Sequence, residues 1–357
     1  VLRQDLQQID NDFEADVEVL LKACEFAILH REFYRDGDFK KIDRLLEVAS
    51  NRLMELQSEE TPAWLAQSGN LVRGYRSTVD GSVQPLGLVL PDQLPRDRQV
   101  PLYIWLHGRG DKVTDLHFIH DRMNEQGQIQ LEEAIVLHPF GRQCVGYKSA
   151  GETDVIEALD FVCNNYPVDT KRIVLMGFSM GGAGVWHLAA HYADRFCAAS
   201  PGAGFAETAR YQNLKPEDYP PEYEQILWKV YDVPGYVRNL FNLPVVAYSG
   251  ELDKQIQAAR VMEDAYAQQG RRLPHLIGPG MGHKYHPNTL ADIMARMEEA
   301  AGEGQPDLPK QLYIQSPHQR YARHRWLVVD GVEQQYGDTR VDASRLDTGR
   351  WQLTTNN

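Results

Sequence analysis

Ser179 stands in "GFSMGG" (177–182), between close-set glycines, after the apolar run "RIVLM" and before the helix-like run "AGVWHLAAHYA". Strand, sharp turn and helix in that order push one side chain into the open on a strained turn. Gly177 and Gly181 take side chains away where strand and helix crowd each other, and the residue between them is expected to hold an unusual φ. A serine hydroxyl is a poor nucleophile at neutral pH and needs a base in hydrogen-bond reach, itself oriented by a carboxylate. The chemistry in prospect is acyl transfer.

The order serine, acid, histidine continues downstream. "LPVVAYSG" runs into "ELD", which sets Asp253 just past a strand end. Glu251 is a rival two positions earlier, and Asp253 is preferred by its place in the G-x-x-D pattern. "GPGMGHKYHP" follows another short strand and offers His283, with His286 as its competitor. His283 follows Gly282, whereas His286 precedes Pro287 and is biased toward an extended conformation and a capping or packing role. An oxyanion needs two preorganised amides. Met180 supplies one, and the loop "WLHGRGD" (105–111) supplies the other, with Arg109 the preferred donor and Gly110 next. His107 and His138 end strands and are read as residues that order backbone.

These residues must be carried by elements that bring strand ends together. "VPLYIWLHG", "AIVLHPF", "RIVLMGFS", "FCAASPG", "LPVVAYSGELD" and "LPHLIGPG" are short, nearly continuous apolar runs separated mostly by helical stretches. Buried parallel strands covered by helices read this way, so the class is α/β with a doubly wound, mostly parallel sheet, whose ligands gather beyond the strand carboxyl ends. "LVRGYRS" and "VQPLGLVL" frame a "DGS" hairpin turn at its start. The spacing divides the chain into a helical segment (1–69), a catalytic domain (70–305) and a small antiparallel β appendage (306–357) that reads as truncated.

Within the first segment, residues 10–57 predict two helices, one striped by Phe13, Val17, Leu20, Leu21, Cys24 and Ile28, the other by Phe39, Ile42, Leu45, Leu46, Ala49 and Leu53. Asp38 is placed to cap the second. An insertion at 205–243 holds Tyr211, Tyr219, Tyr223, Trp228, Tyr231 and Tyr236; it is positioned to overhang the site as a cap, with helix packing the rival reading. Trp228, Tyr147, Arg142 and Gly110 are the candidates for touching substrate. In the appendage "HRWLVVDGVEQQY" reads as alternating strand broken at "DG".

Composition narrows the partners. With 37 basic against 50 acidic side chains the net charge is −13, which repels polyphosphates and anionic lipid surfaces, so neither nucleic acid nor membrane is expected. No apolar run approaches the ~18 residues of a membrane span, and "VLRQDLQQID" lacks a signal peptide's basic start and apolar run. The chain reads as soluble, either cytoplasmic in bacterial fashion or exported with a leader removed; beginning at Val1, it also fits a fragment. Cys24, Cys144, Cys163 and Cys197 show no zinc spacing and read as small buried hydrophobes.

Taken together, "LHGRGD", "GFSMGG", "SGELD" and "GMGHKYHP" resemble the α/β-hydrolase superfamily, in the branch of prolyl oligopeptidase-like and dienelactone-hydrolase-like proteins and feruloyl or acetyl carbohydrate esterases. The resemblance covers roughly residues 70–300. It implies Ser179 as nucleophile, Asp253 as acid, His283 as base, and the Met180 and Arg109 amides as oxyanion hole. The expectation is a serine carboxylesterase that needs no cofactor or metal and acts on small acyl or aryl esters, carbohydrate-linked ones included. A prolyl oligopeptidase-like peptidase on short peptides is the alternative within enzymes. A non-catalytic scaffold binding carbohydrate through Tyr313, Tyr321, Trp326 or Trp351 is the alternative outside them.

Overall fold

The computed structural model describes residues 1–357 apart from positions 10, 12, 59 and 96. Position 10, where the first helical run was expected to begin, lies outside the described residues. Eight strands belong to a mostly parallel sheet interleaved with helices, and the chain divides into two compact units.

The first unit holds helices α1 (Leu2–Leu6), α2 (Glu14–His30) and α3 (Asp38–Leu56), then β1 (Gly69–Arg76), β2 (Val83–Leu90), β3 (Val100–Leu106) as far as Trp105, α4 (Asp115–Asn124), β4 (Ile135–Pro139) and α5 (Ala150–Asn165). Its strand order is β1-β2-β4-β3, with β1 and β2 an antiparallel hairpin and β3 parallel to β4. Helix α2 lies on α3 and β1. A buried ion pair fixes it there: Arg73 Nε is 2.8 Å from both oxygens of Asp16, and the Gly74 amide donates to the same carboxylate at 2.7 Å. A buried carboxylate is tolerated only when paired and hydrogen-bonded in this way.

Two expected stripe residues sit outside the core, Ile28 and Phe39 at 62% and 60% exposure. Arg31 adopts a left-handed conformation (φ 56°) and turns the chain where α2 ends, so these terminal turns fall beyond the buried stripe. Phe39 stacks on Phe33 instead, ring centres 4.3 Å apart. Asp38 occupies the first helical position, after Gly37 at the N-cap, and accepts from the Tyr34 and Arg35 amides at 2.8 and 2.9 Å, so it braces the preceding loop.

The second unit holds Leu106–Gly108 at the end of β3, β5 (Val168–Phe178) from Thr170 on, α6 (Met180–His191), β6 (Ala198–Gly202), α7 (Thr208–Tyr211), α8 (Glu222–Trp228), β7 (Ala247–Gly250), α9 (Ile256–Gln268), β8 (His275–Gly278) and α10 (Pro287–Glu303). Strands β5 to β8 run parallel in chain order, which sets their carboxyl ends side by side along one rim. Among the described residues no helix is long and apolar enough to cross a membrane. No two of the four cysteines are bonded to each other; Cys24 and Cys197 are buried and Cys144 and Cys163 half-buried.

Beyond α10 come β9 (Gln311–Ser316), β10 (Arg323–His324), β11 (Leu327–Val328), β12 (Thr339–Arg345) and β13 (Trp351–Asn356). β13, β12 and β9 form an antiparallel sheet over a small core of Leu312, Ile314, Leu327, Val341 and Ala343. The run expected to break at "DG" turns earlier, at Arg325 (φ 54°), so β10 and β11 are only two residues each. The turn brings Trp326 against Trp351, ring centres 4.9 Å apart.

Candidate active site

Strand β5 ends at Phe178 and α6 begins at Met180, leaving Ser179 alone at the turn with φ 60° and ψ −121°. A non-glycine residue held there is strained and persists because its surroundings over-determine it. Those surroundings are visible. A Cβ on Gly181 would lie 2.0 Å from the Leu106 carbonyl oxygen, and one on Gly177 would lie 2.8 Å from Leu106 Cβ. The end of β3 therefore runs so close to the turn that only glycines fit. The Ser179 amide donates to the Gly202 carbonyl at 2.8 Å, tying the turn to the end of β6.

From the rim formed by β7 and β8, two loops reach this serine. His283 Nε2 is 2.8 Å from Ser179 Oγ, and its Nδ1 is 2.8 Å from Asp253 Oδ2. With the proton on Nδ1 directed to the carboxylate, Nε2 presents its lone pair to the hydroxyl. Asp253 is buried, while the His283 side chain is 41% exposed, so the carboxylate is enclosed and the imidazole opens to solvent. The two loops are laced by backbone bonds, Leu252 amide to Met281 carbonyl at 2.8 Å and Glu251 amide to Gly278 carbonyl at 3.0 Å. Behind the imidazole, Phe178 packs with ring centres 4.8 Å apart, and Tyr285 packs on Phe178 at the same distance. This arrangement can take a proton from the serine hydroxyl and hold the resulting imidazolium beside a carboxylate.

The rivals are occupied elsewhere. Glu251 Oε2 accepts from the Gly280 amide at 2.7 Å and braces the histidine loop. His286 is the N-cap of α10, its Nδ1 accepting from the Thr289 amide at 3.4 Å. His107 bonds its neighbour, Nδ1 lying 2.8 Å from the Gly108 carbonyl. Two further residues, Gln255 and Tyr248, bond to the loops around the triad; neither carries a motif, and nothing in the sequence singled them out.

Met180 opens α6, which has no side-chain cap, so its amide stands at the positive end of the helix dipole. A methyl group on Gly108 would lie 3.7 Å from Ser179 Cβ, which brings the start of the loop after β3 beside the serine. Arg109 and Gly110 belong to the first unit. There the Arg109 guanidinium pairs with Asp111 at 2.7 Å, and the Gly110 amide donates to the Cys144 thiol at 3.2 Å.

Arg142, in the same unit, is engaged by Asp80 at 2.8 Å and Asp154 at 3.5 Å. Tyr147 is fully buried with φ 55°, so its ring shows no face to solvent. The insertion divides in two. Tyr236 is buried and Tyr231 packs edge-on against His187 of α6, whereas Tyr211, Tyr219 and Tyr223 are exposed and half-buried Trp228 meets Tyr219 at 5.8 Å between ring centres.

Residues 146–303, which include Ser179, Asp253 and His283, match the prolyl oligopeptidase family. Over 234 residues the chain is 29% identical to dipeptidyl-peptidase 5 of Porphyromonas gingivalis, an alignment that covers 58% of this chain and 34% of that protein. The chain thus spans about a third of the length of the curated relative it matches. Among solved structures, Pyrococcus horikoshii acylaminoacyl peptidase is similar with a TM-score of 0.50 at 12% identity, covering 68% of this chain and 43% of that one. A ferulic acid esterase is similar at 0.49 with 19% identity, covering 66% and 99%. The fold is that of the α/β-hydrolases.

Proposed function

We propose that this protein cleaves carboxylic esters through an acyl-enzyme, with Ser179 as nucleophile, His283 as general base and Asp253 as the acid that orients it. The observation that carries the reading is the pair of 2.8 Å contacts linking Ser179 Oγ, His283 and Asp253. His283 Nε2 takes the hydroxyl proton as Oγ attacks the ester carbonyl, and the carbonyl oxygen becomes an oxyanion directed at the Met180 amide. Collapse breaks the bond to the alcohol, which leaves with the proton from Nε2. Water then enters, gives a proton to the same nitrogen, and releases the carboxylic acid from Ser179.

Small acyl or aryl esters fit best, carbohydrate-linked ones among them. Two features support this: the His283 side chain is 41% exposed, and the insertion after β6 carries exposed aromatic rings with flat apolar faces.

A peptidase acting on short peptides is the second reading, favoured by the likeness to dipeptidyl-peptidase 5. Rates on p-nitrophenyl acetate, methyl ferulate and a prolyl-naphthylamide, measured on one preparation beside Ser179→Ala, decide between them. The ester reading requires kcat/KM on at least one ester to exceed that on the amide by orders of magnitude and to vanish with Ser179. A naphthylamide turned over as fast as the esters moves the assignment to a peptidase.

A further inference from the structure

We propose that Gln255 is a positioning residue for this reaction, fixing the acid carboxylate with its backbone and the floor of the serine turn with its side chain. The inference rests on the Ser179 reading above. The Gln255 amide donates to Asp253 Oδ1 at 2.9 Å, on the oxygen that His283 does not use. With both oxygens engaged, the carboxylate cannot rotate away from the imidazole. The Gln255 side chain leaves in another direction, and its Oε1 accepts from the Gly204 amide at 2.9 Å.

Gly204 is no ordinary loop residue. At φ +91° it lies so close to the turn that a Cβ would sit 2.6 Å from both the Ser179 carbonyl oxygen and the Ala183 amide nitrogen. Two residues before it, the Gly202 carbonyl receives the Ser179 amide, and the Ala203 amide between them donates to the Tyr248 carbonyl at 2.8 Å. Segment 202–204 is therefore the surface against which the strained serine is held, and the last amide of that segment hangs on Gln255. The nucleophile and the acid are joined twice: through His283 by side chains, and through Gly204 and Gln255 by the protein's frame. A strained φ relaxes when its support loosens, and a misplacement of ~1 Å in reacting atoms costs up to about 10²-fold in rate.

The substitution Gln255→Met keeps the length and the backbone amide but removes the acceptor, leaving Gly204 N–H without its partner. It is expected to lower kcat on p-nitrophenyl acetate by about 10- to 100-fold with KM changed by no more than about three-fold. Gln255→Glu restores an acceptor and is expected to recover most of the rate. Its added negative charge favours the protonated base and should move the rising limb of kcat/KM against pH to higher pH, whereas a merely structural role would show neither the kcat loss at nearly unchanged KM in Gln255→Met nor its recovery in Gln255→Glu. Thermal melts of both variants control for folding. Parental kcat in Gln255→Met, or equal losses in both variants without a displaced pH profile, with Ser179→Ala inactive, overturns this inference alone. An active Ser179→Ala overturns the reading of the site and this inference with it.

Discussion

The Tyr248 hydroxyl donates to the Lys284 carbonyl and accepts from the His286 amide, both at 2.8 Å, so one tyrosine on β7 holds both ends of the segment that follows His283. Its ring is buried and packs on Tyr285 with centres 4.4 Å apart. Tyr248→Phe keeps the ring and removes both bonds. Leaving a buried donor and acceptor unpaired costs about 1–3 kcal/mol each at most, so urea melts should show a stability loss of that order. Because the freed loop carries His283, the proposed base, kcat should fall by about ten-fold or more while KM moves little. An unaltered kcat would mean that the ring stack and the lacing to the acid loop suffice to place His283.

Asp253 and Glu251 differ in what they bond, and the kinetics should separate them. Asp253→Asn leaves the shape intact but offers Nδ1 an amide, which mis-sets the imidazole tautomer and should cost about 10⁴-fold in kcat. Glu251→Gln retains an acceptor for the Gly280 amide and should cost far less. A larger loss for Glu251→Gln than for Asp253→Asn would transfer the acid to Glu251.

How far the site could be read from residues alone follows from what each part depends on. The order of Ser179, Asp253 and His283 was legible because parallel strands in chain order deliver their carboxyl ends to one rim, and because the turn's glycines are demanded by the close passage of Leu106. Gln255 and Tyr248 were not legible. Their bonds join loops 36 to 51 residues apart, and a lone glutamine or a strand tyrosine carries no pattern that announces such a partner. The same limit explains Ile28, Phe39 and Arg325. Helical period says which face is apolar but not where the neighbouring element stops covering it, and a left-handed arginine can turn a hairpin where a "DG" five residues on looks the better candidate.

In the first unit, Asp154 makes stability depend on pH in a direction opposite to most carboxylates. It is fully buried, accepting from the Tyr75 hydroxyl at 2.6 Å and the Gly141 amide at 2.7 Å, with Arg142 Nε at 3.5 Å. Burial outweighs these partners and pushes its carboxyl up to about 6. A group whose folded value is raised binds its proton more readily when folded. Its contribution is therefore full below the unfolded value near ~3.9 and is lost as pH rises through the folded one. Asp154→Asn should remove that slope, so the parent-minus-variant difference in unfolding free energy should fall by about 1–3 kcal/mol between pH 4.5 and 7.5. A difference that stays constant across that range would show that Asp154 is ionised throughout.

The two histidines of "GMGHKYHP" provide the sharpest separation of catalysis from folding. His283 meets Ser179 and Asp253 at 2.8 Å each, whereas His286 faces the other way, preceding Pro287 at the first turn of α10 and accepting from Thr289. Proline suits that first turn because its missing N–H is one the helix leaves unsatisfied, and the residue before it is held extended, as an N-cap must be. His286→Ala should therefore cost about 0.5–2 kcal/mol of stability, the usual worth of a cap, and leave fluorophosphonate labelling of Ser179 intact. His286→Asp should regain most of that loss, since a carboxylate caps well and favours the positive helix end. His283→Ala should shift melting modestly, since its side chain is 41% exposed, yet abolish labelling and acylation. Labelling lost in His286→Ala and retained in His283→Ala would exchange the two roles.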